Sequence, residues 1–272
     1  MGVAMDSVTD RIKRSLAQRG LWGTVRMCFG SLLARALPAV RQKEARRRQM
    51  DEDFDQQYGV DTGGTFRPKA GEVVGQNWAL GNHYEAVEPD SFLDTLSKLQ
   101  IHHADFTFVD FGSGKGRGLL LASEYHFRRI IGVEFCPALN RIARQNILRY
   151  KTSATRWQQI EIVEGDAGEF AIPDEPLLIF VNNSFAAPLM SKVAKNVTGS
   201  FARFPRRIVV LYFWPFFADL WEQTGFLRRI QSSPAIFDTG PIPGAVEVSR
   251  ILTPFPSILN FNSSSRPALM SR

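Results

Sequence analysis

The sequence predicts an α/β fold built on a doubly wound, mostly parallel sheet, and three observations carry this. From Phe106 onward, short apolar β-rich runs alternate with segments of helical periodicity, the pattern of parallel strands covered by helices on both faces. The first of these runs ends in a glycine turn, VDFGSGKGRG. Finally, 272 residues, 44% of them hydrophobic, suffice to bury the core such a sheet needs.

The elements follow in order. Trp22, Val25, Phe29, Leu32, Leu33, Ala36, Leu37 and Val40 recur as one apolar stripe with Arg35 on the far side, predicting an amphipathic helix that ends near Pro38. The charged run RQKEARRRQMDED after it reads as a solvated helix or linker. Residues 1–50 thus form a basic helical extension, open to three readings: a helix docked on its own domain, an interfacial membrane helix, or a nucleic-acid arm. Residues 51–90, rich in Gly, Asp, Asn and aromatic residues, read as a loop-rich lid over a site.

A domain over 91–255 starts with a helix at Ser91–Leu99. Strands are expected at 106–111, 129–135, 160–165, 177–183 and 207–213. Helices are expected at 119–125, after Pro137 with Leu139, Ile142, Ala143 and Ile147 inward, and at Ala187–Val197. FLRRIQ (226–231) and VEVSRIL (246–252) would close a seven-stranded sheet, leaving 256–272 as an irregular tail.

Composition narrows the classes. The chain carries 33 basic and 27 acidic residues, a net +6, but residues 1–50 hold 11 basic and 3 acidic ones, leaving 22 against 24 for the rest. The basic character belongs to the extension, where it suits a peripheral membrane or an acidic partner. The body has no interleaved basic and aromatic signature, which disfavours nucleic acid. Two cysteines, Cys28 and Cys136, and four histidines without ligand spacing predict neither a disulfide framework nor a metal site, so a reducing cytoplasmic compartment is the default. No run of about 18 uncharged apolar residues predicts a membrane span, and Asp6 stands where a myristoylation motif wants Ser or Thr.

The site is read from spacing. In such sheets ligands bind beyond the C-terminal strand ends, where strand order reverses. Gly112, Gly114 and Gly116 read G-x-G-x-G, matching neither a dinucleotide fingerprint nor a phosphate loop. Asp110, inside the turn, would oppose a pyrophosphate but accept bonds from a cationic amino-acid ligand. Glu134 ends the second strand 24 residues later, where a carboxylate accepts two ribose hydroxyls. Asp166 follows the third strand, within reach of an exocyclic adenine amine. A ligand with adenine, ribose and an amino-acid tail satisfies all three.

On these residues, the stretch from about Phe106 to Phe213 resembles the Rossmann-like class I S-adenosylmethionine-dependent methyltransferases. The resemblance implies that Asp110 and the turn Gly112, Ser113, Gly114 and Gly116 hold the methionine moiety, that Glu134 with Phe135 holds the ribose, and that Asp166 with Ala167 holds the adenine. Asn182 and Tyr84, the latter a lid or a structural tyrosine, would complete the cofactor site. FVNNSF (180–185) resembles the Asn/Asp-Pro-Pro-aromatic element of amino-group methyltransferases, with Ser184 in place of proline. This implies Asn183 as the residue orienting the nucleophile and Phe185 as a wall.

The phrases DFGSGKGR, IIGVEF, EGDA and HYEAVEP are similar to an uncharacterised bacterial methyltransferase group. IFVNNSF is similar to a short element of the disruptor-of-telomeric-silencing type of lysine methyltransferase. Lysine, another protein amine, a glycan or a small molecule all remain as acceptors. A cofactor-binding but inactive module acting through the basic helix is the alternative. Trp214 reads as a core residue or, with Pro215, as part of the acceptor pocket, whose rim Trp78 could share, and Arg117 is expected to open a helix and pair with a carboxylate. His102 and His103, upstream of the first strand, read as surface.

Overall fold

The computed structural model describes residues 38–68, 71–74, 78–150 and 160–241. The apolar stripe from Trp22 to Leu37, the expected strand 246–252 and the tail 256–272 lie outside these described residues. The charged run after Pro38 is helix: α1 spans Pro38–Tyr58 with proline in its first turn, as a sequence of Arg, Gln, Lys, Glu and Ala favours. It runs without a break through residue 50. Its first half is mostly exposed, while Asp51 and Phe54 are buried. Gly59, at φ 70°, ends it, and the Val60 N–H donates to the Asp55 carbonyl at 3.0 Å, closing the left-handed cap.

Two short strands, β1 (Thr65–Phe66) and β2 (Tyr84–Glu85), pair antiparallel. Then come α2 (Pro89–Lys98), β3 (Thr107–Phe111), α3 (Arg117–Ala122), β4 (Arg129–Glu134) and α4 (Pro137–Arg149). They are followed by β5 (Ile160–Glu164), β6 (Leu177–Asn182), α5 (Ala187–Arg203), β7 (Ile208–Phe213), α6 (Ala218–Glu222), β8 (Arg228–Ser232) and β9 (Ala235–Asp238). The large sheet has seven strands in the order β5-β4-β3-β6-β7-β9-β8. β3 to β7 are mutually parallel, and β9 joins β7 antiparallel. The closing pair differs from expectation: β8 overlaps FLRRIQ, but its partner is AIFD at 235–238, joined by a tight turn that local pairing favours over a longer return.

The sheet buries a separate core on each face. Val109, Phe111, Ile131, Val133, Ile179 and Val181 point to one side, against α5 and α6. Phe108, Ile130, Leu178, Phe180, Leu211 and Phe213 point to the other, against α1, α2 and α3. On that side Phe92 of α2 meets Phe180 edge to face at 4.9 Å, and Phe108 at 6.1 Å. Strand order reverses at β3, which has β4 on one side and β6 on the other, so the crevice opens where Phe111 pairs with Val133 and Val181.

A buried charge fixes α1 to this frame. Arg117, 1% exposed, opens α3 as expected, and its carboxylate partners are Asp51 at 2.5 Å and Asp55 at 3.6 Å. Its Nε donates to Thr62 Oγ1 at 2.7 Å, and its guanidinium lies 4.7 Å from the Phe54 ring centroid. Asp55 in turn accepts the backbone N–H groups of Thr62 and Gly63. Removing one member of a buried ion pair strands the other charge. Arg117→Met should therefore lower stability by about 3–5 kcal/mol in urea denaturation, and the double change Arg117→Met with Asp51→Leu should restore most of it. A loss below about 1 kcal/mol would mean that the pair does not hold α1 in place.

Candidate cofactor and acceptor site

The glycine turn after β3 is held from below. Gly112 and Ser113 N–H groups both donate to the Val133 carbonyl (2.8 and 3.2 Å), and the Gly114 N–H donates to Glu134 Oε2 at 3.0 Å. Gly112, Gly114 and Gly116 all have positive φ, at 80°, 56° and 89°. Close approach adds a second demand. A Cβ on Gly112 would lie 2.5 Å from that of Ser184, and one on Gly114 would lie 2.1 Å from the Tyr84 ring. Tyr84 thus lies directly on the turn.

The strap carrying Tyr84 is laced to the end of β6. Asn82 N–H donates to the Ser184 carbonyl (2.9 Å), Ala186 N–H to the Leu80 carbonyl (2.7 Å), and Asn182 Nδ2 to the Glu85 carbonyl (3.0 Å). The Tyr84 hydroxyl donates to the Thr62 carbonyl at 2.6 Å, which links the strap to the Arg117 network, and burial pushes its pKa upward. Lys115 reaches Asp61 at 2.6 Å and the Gly63 carbonyl at 2.9 Å, tying the turn itself to the same loop.

Two carboxyls sit behind the turn. Glu134, 4% exposed, accepts from Gly114 N–H and, through Oε1, from Cys136 N–H at 2.9 Å. Burial outweighs these bonds and raises its pKa to about 7. Asp110, 3% exposed, is raised well above the carboxylate range by burial and then by the Glu134 charge. Neither forms an ion pair among the described residues. Three groups nearby are buried without a hydrogen-bond partner: Ser113 Oγ, Arg117 Nη2 and Asn182 Oδ1.

The expected site residues fall into three places. Tyr84, Gly112, Glu134, Phe135, Asn182 and Phe185 line one cavity of about 40 Å³, together with Asn82, His83 and Ser184. Asp110 and Ser113 line a second of about 20 Å³, which shares Tyr84, Gly112 and Asn182 with the first. Asp166 lies apart, in an open cleft along the β4–β5 edge, where its Oδ1 accepts the Gly168 N–H at 2.8 Å. Ala167 beside it belongs to the core.

Of the two asparagines, only Asn182 lines the cavities. Asn183, at φ 51°, accepts Asn82 Nδ2 on its carbonyl (2.5 Å) and approaches it with its own amide oxygen (3.3 Å), lining neither cavity. Asn182 presents the open amide oxygen instead. The positive φ of Asn183 accompanies a side chain turned back onto the strap.

Trp214, also at positive φ (55°), is 55% exposed at the end of β7 and is not a core residue. The side chain of Trp78 lies outside the described residues. His102 is exposed, but His103 is half-buried, packed 4.7 Å from Tyr125 and 5.1 Å from Phe127, so reading it as surface is corrected.

Sequence reasoning also missed the partners of Arg117 and the residues flanking Tyr84. Asp51, Phe54, Asp55 and Tyr58 share one face of α1 at helical spacing, a signal the charge run concealed. His83 and Glu85 flank Tyr84 one residue to each side. His83 Nε2 lies 3.0 Å from Glu85 Oε1, and Glu85 Oε2 lies 3.1 Å from Arg47. The His83 hydrogen bond, with Arg47 behind it, holds the Glu85 carboxyl below its usual range.

No family model matches this chain, and no curated protein sequence does. Solved structures resemble it in fold. One is described as a predicted N6-adenine-specific DNA methylase from Listeria monocytogenes, 14% identical, covering 56% of this chain and 51% of its own, with a TM-score of 0.42. Another is the precorrin-6y C5,15-methyltransferase of Geobacter metallireducens, 17% identical over 56% of this chain and 87% of its own, with a TM-score of 0.40. A third is phosphoethanolamine N-methyltransferase 1 of Haemonchus contortus in complex with S-adenosylhomocysteine, 20% identical over 45% of this chain and 25% of its own, with a TM-score of 0.34. The chain spans about half the length of the first and a quarter of the third. At these identities the likeness is one of fold: a seven-stranded, mostly parallel, Rossmann-like sheet with flanking helices.

Proposed function

We propose that this chain is an S-adenosylmethionine-dependent methyltransferase whose acceptor offers an N–H or O–H to Asn182. The observation that carries the reading is the pair Asp110 and Glu134: two carboxyls buried near each other behind a glycine turn, neither in an ion pair among the described residues, while Arg117, which lines the small cavity with Asp110, is taken up by Asp51 and Asp55. A buried carboxyl pair of this kind is costly unless a ligand satisfies it. The donors of S-adenosylmethionine match the set. Asp110 would take the ammonium with the backbone of Gly112–Gly116, and Glu134 the ribose hydroxyls. Asp166, two residues past the strand end that registers with Glu134, would take the adenine amine. When bound, S-adenosylmethionine supplies a methyl group on a sulfonium, ready for displacement by a nucleophile.

The chain's own residues supply positioning and a proton path. Asn182 Oδ1, buried and unpartnered, would accept the donor hydrogen of the nucleophile and orient its lone pair, while its Nδ2 stays fixed to the Glu85 carbonyl. Phe185 walls the cavity. His83, steadied by Glu85, lines the same cavity and can receive the proton released on methylation. Cavities of about 40 and 20 Å³ hold a few waters at most. Seating an adenosyl amino acid therefore requires Tyr84 to lift off Gly114, and the strap acts as a lid that shuts out water.

Two outcomes test this. Ribose hydroxyls favour ionised Glu134, whose pKa in the free protein is about 7. Calorimetric affinity for S-adenosylhomocysteine should rise from pH 5 to about 7 and then level off, with protons released from Glu134 at pH 6. Glu134→Gln should weaken binding by about 10–100-fold, the loss of one or two charge-assisted hydrogen bonds, and flatten the Glu134 step. No binding, or binding indifferent to this change, would refute the reading.

Next, the full chain with tritiated methyl donor and cell extract should label an acceptor fraction. Asn182→Ala should cut labelling at least a hundredfold with homocysteine-product affinity within threefold of the parent, and Asn183→Ala should act through stability alone. Intact binding without labelling of any fraction would favour the inactive interaction module.

A further inference from the structure

A second opening reaches Asn182 from outside the cofactor cavities. Between α1 and the turn after β7 runs a groove of about 650 Å³, floored by Asn182, Phe213 and Val87. Its walls are basic and aromatic. Lys43, Arg46 and Arg47 line it from α1, Trp214 and Pro215 from the β7 turn, and Glu88 is its one carboxylate. Arg47 is engaged by Glu85 and by the Ala86 carbonyl at 2.8 Å. Arg46 forms no ion pair among the described residues, and Lys43 has its Nζ 5.7 Å from the Trp214 ring centroid.

Trp214 and Asn183 are the only non-glycine residues at positive φ among the described residues. They directly follow Phe213 and Asn182, which are register partners on β7 and β6. Backbone strain thus concentrates at two adjacent strand ends on one rim, and it turns a large aromatic ring out into the groove.

We infer that this groove binds the methyl acceptor and selects a small organic anion: a phosphate- or carboxylate-bearing molecule with a planar apolar part and a hydroxyl or amine to be methylated. Lys43 and Arg46 hold the anionic group, Trp214 stacks on the planar part, and the donor group reaches Asn182 Oδ1 at the floor. The volume lies in the range of small-molecule clefts, roughly 300–1,000 Å³, and the groove is short for a polymer. The inference deepens the methyl-transfer reading and rests on it for the ligand's role as acceptor.

Phenyl phosphate is a probe of this chemistry. Titrated into the full chain saturated with S-adenosylhomocysteine, it should bind at least tenfold tighter than phenol, benzylamine or inorganic phosphate. The double change Lys43→Glu with Arg46→Glu should weaken it at least tenfold, and the milder Lys43→Gln with Arg46→Gln and Trp214→Ala severalfold each. Affinity for S-adenosylhomocysteine should stay within twofold in every variant, which separates failure of the groove from failure of the cofactor reading. If the cofactor product does not bind, the same titrations without it still test the groove. Equal binding by parent and charge-reversed chains, or equal binding of phenol or of inorganic phosphate, would overturn the inference. So would a single-stranded oligonucleotide that binds through the same residues more than tenfold tighter than phenyl phosphate, which would make the groove a nucleic-acid surface.

Discussion

The placement of one buried guanidinium governs most of what surrounds the site. Arg117 opens the helix that follows the glycine turn, and a charge so enclosed must be matched. Asp51 and Asp55 match it, and in doing so dock α1 against the second core. Asp55 also gathers the Thr62 and Gly63 amides, and the Thr62 carbonyl receives the Tyr84 hydroxyl. The turn, the helix before the sheet and the strap over the turn therefore share a single polar network. Without this arginine, α1 would lose the buried charge that docks it against the second core.

The site follows from where the parallel sheet changes direction. β3 lies between β4 and β6, so its end has room for a turn, and the ends of its neighbours supply Glu134 on one side and Asn182 on the other. Burial behind the turn pushes the pKa of both Asp110 and Glu134 upward, and Ser113 Oγ and Asn182 Oδ1 lie nearby without a hydrogen-bond partner. The two strained residues at the ends of β6 and β7 then decide which side chains look inward and which look out.

Much of this was legible in the sequence, for identifiable reasons. The central strands β3, β6 and β7 are buried on both faces and read as continuous apolar runs, so their order and their glycine turn stood out. The distance from Asp110 to Glu134 is set by one βαβ unit, and each strand end lies where that unit requires. The closing strand at 235–238 is four residues long and was overlooked for a longer β-like run downstream. The choice between Asn182 and Asn183 rests on a positive φ that no spacing encodes. The division of charge at residue 50 concealed that α1 is continuous and that three of its basic residues line a groove above Asn182. A helix whose polar face binds across space looks, in sequence, like a solvated one.

The central claim is that the strap at 81–87 is a lid over a cofactor cavity formed by residues 110–116 and Glu134. Hydrogen exchange of the full chain, with and without S-adenosylhomocysteine, tests it most directly. The account predicts slower exchange in peptides covering 81–87 and 110–116 on binding, with β8 and β9 unchanged. Binding that leaves 81–87 unprotected, or protection confined to other elements, would contradict it.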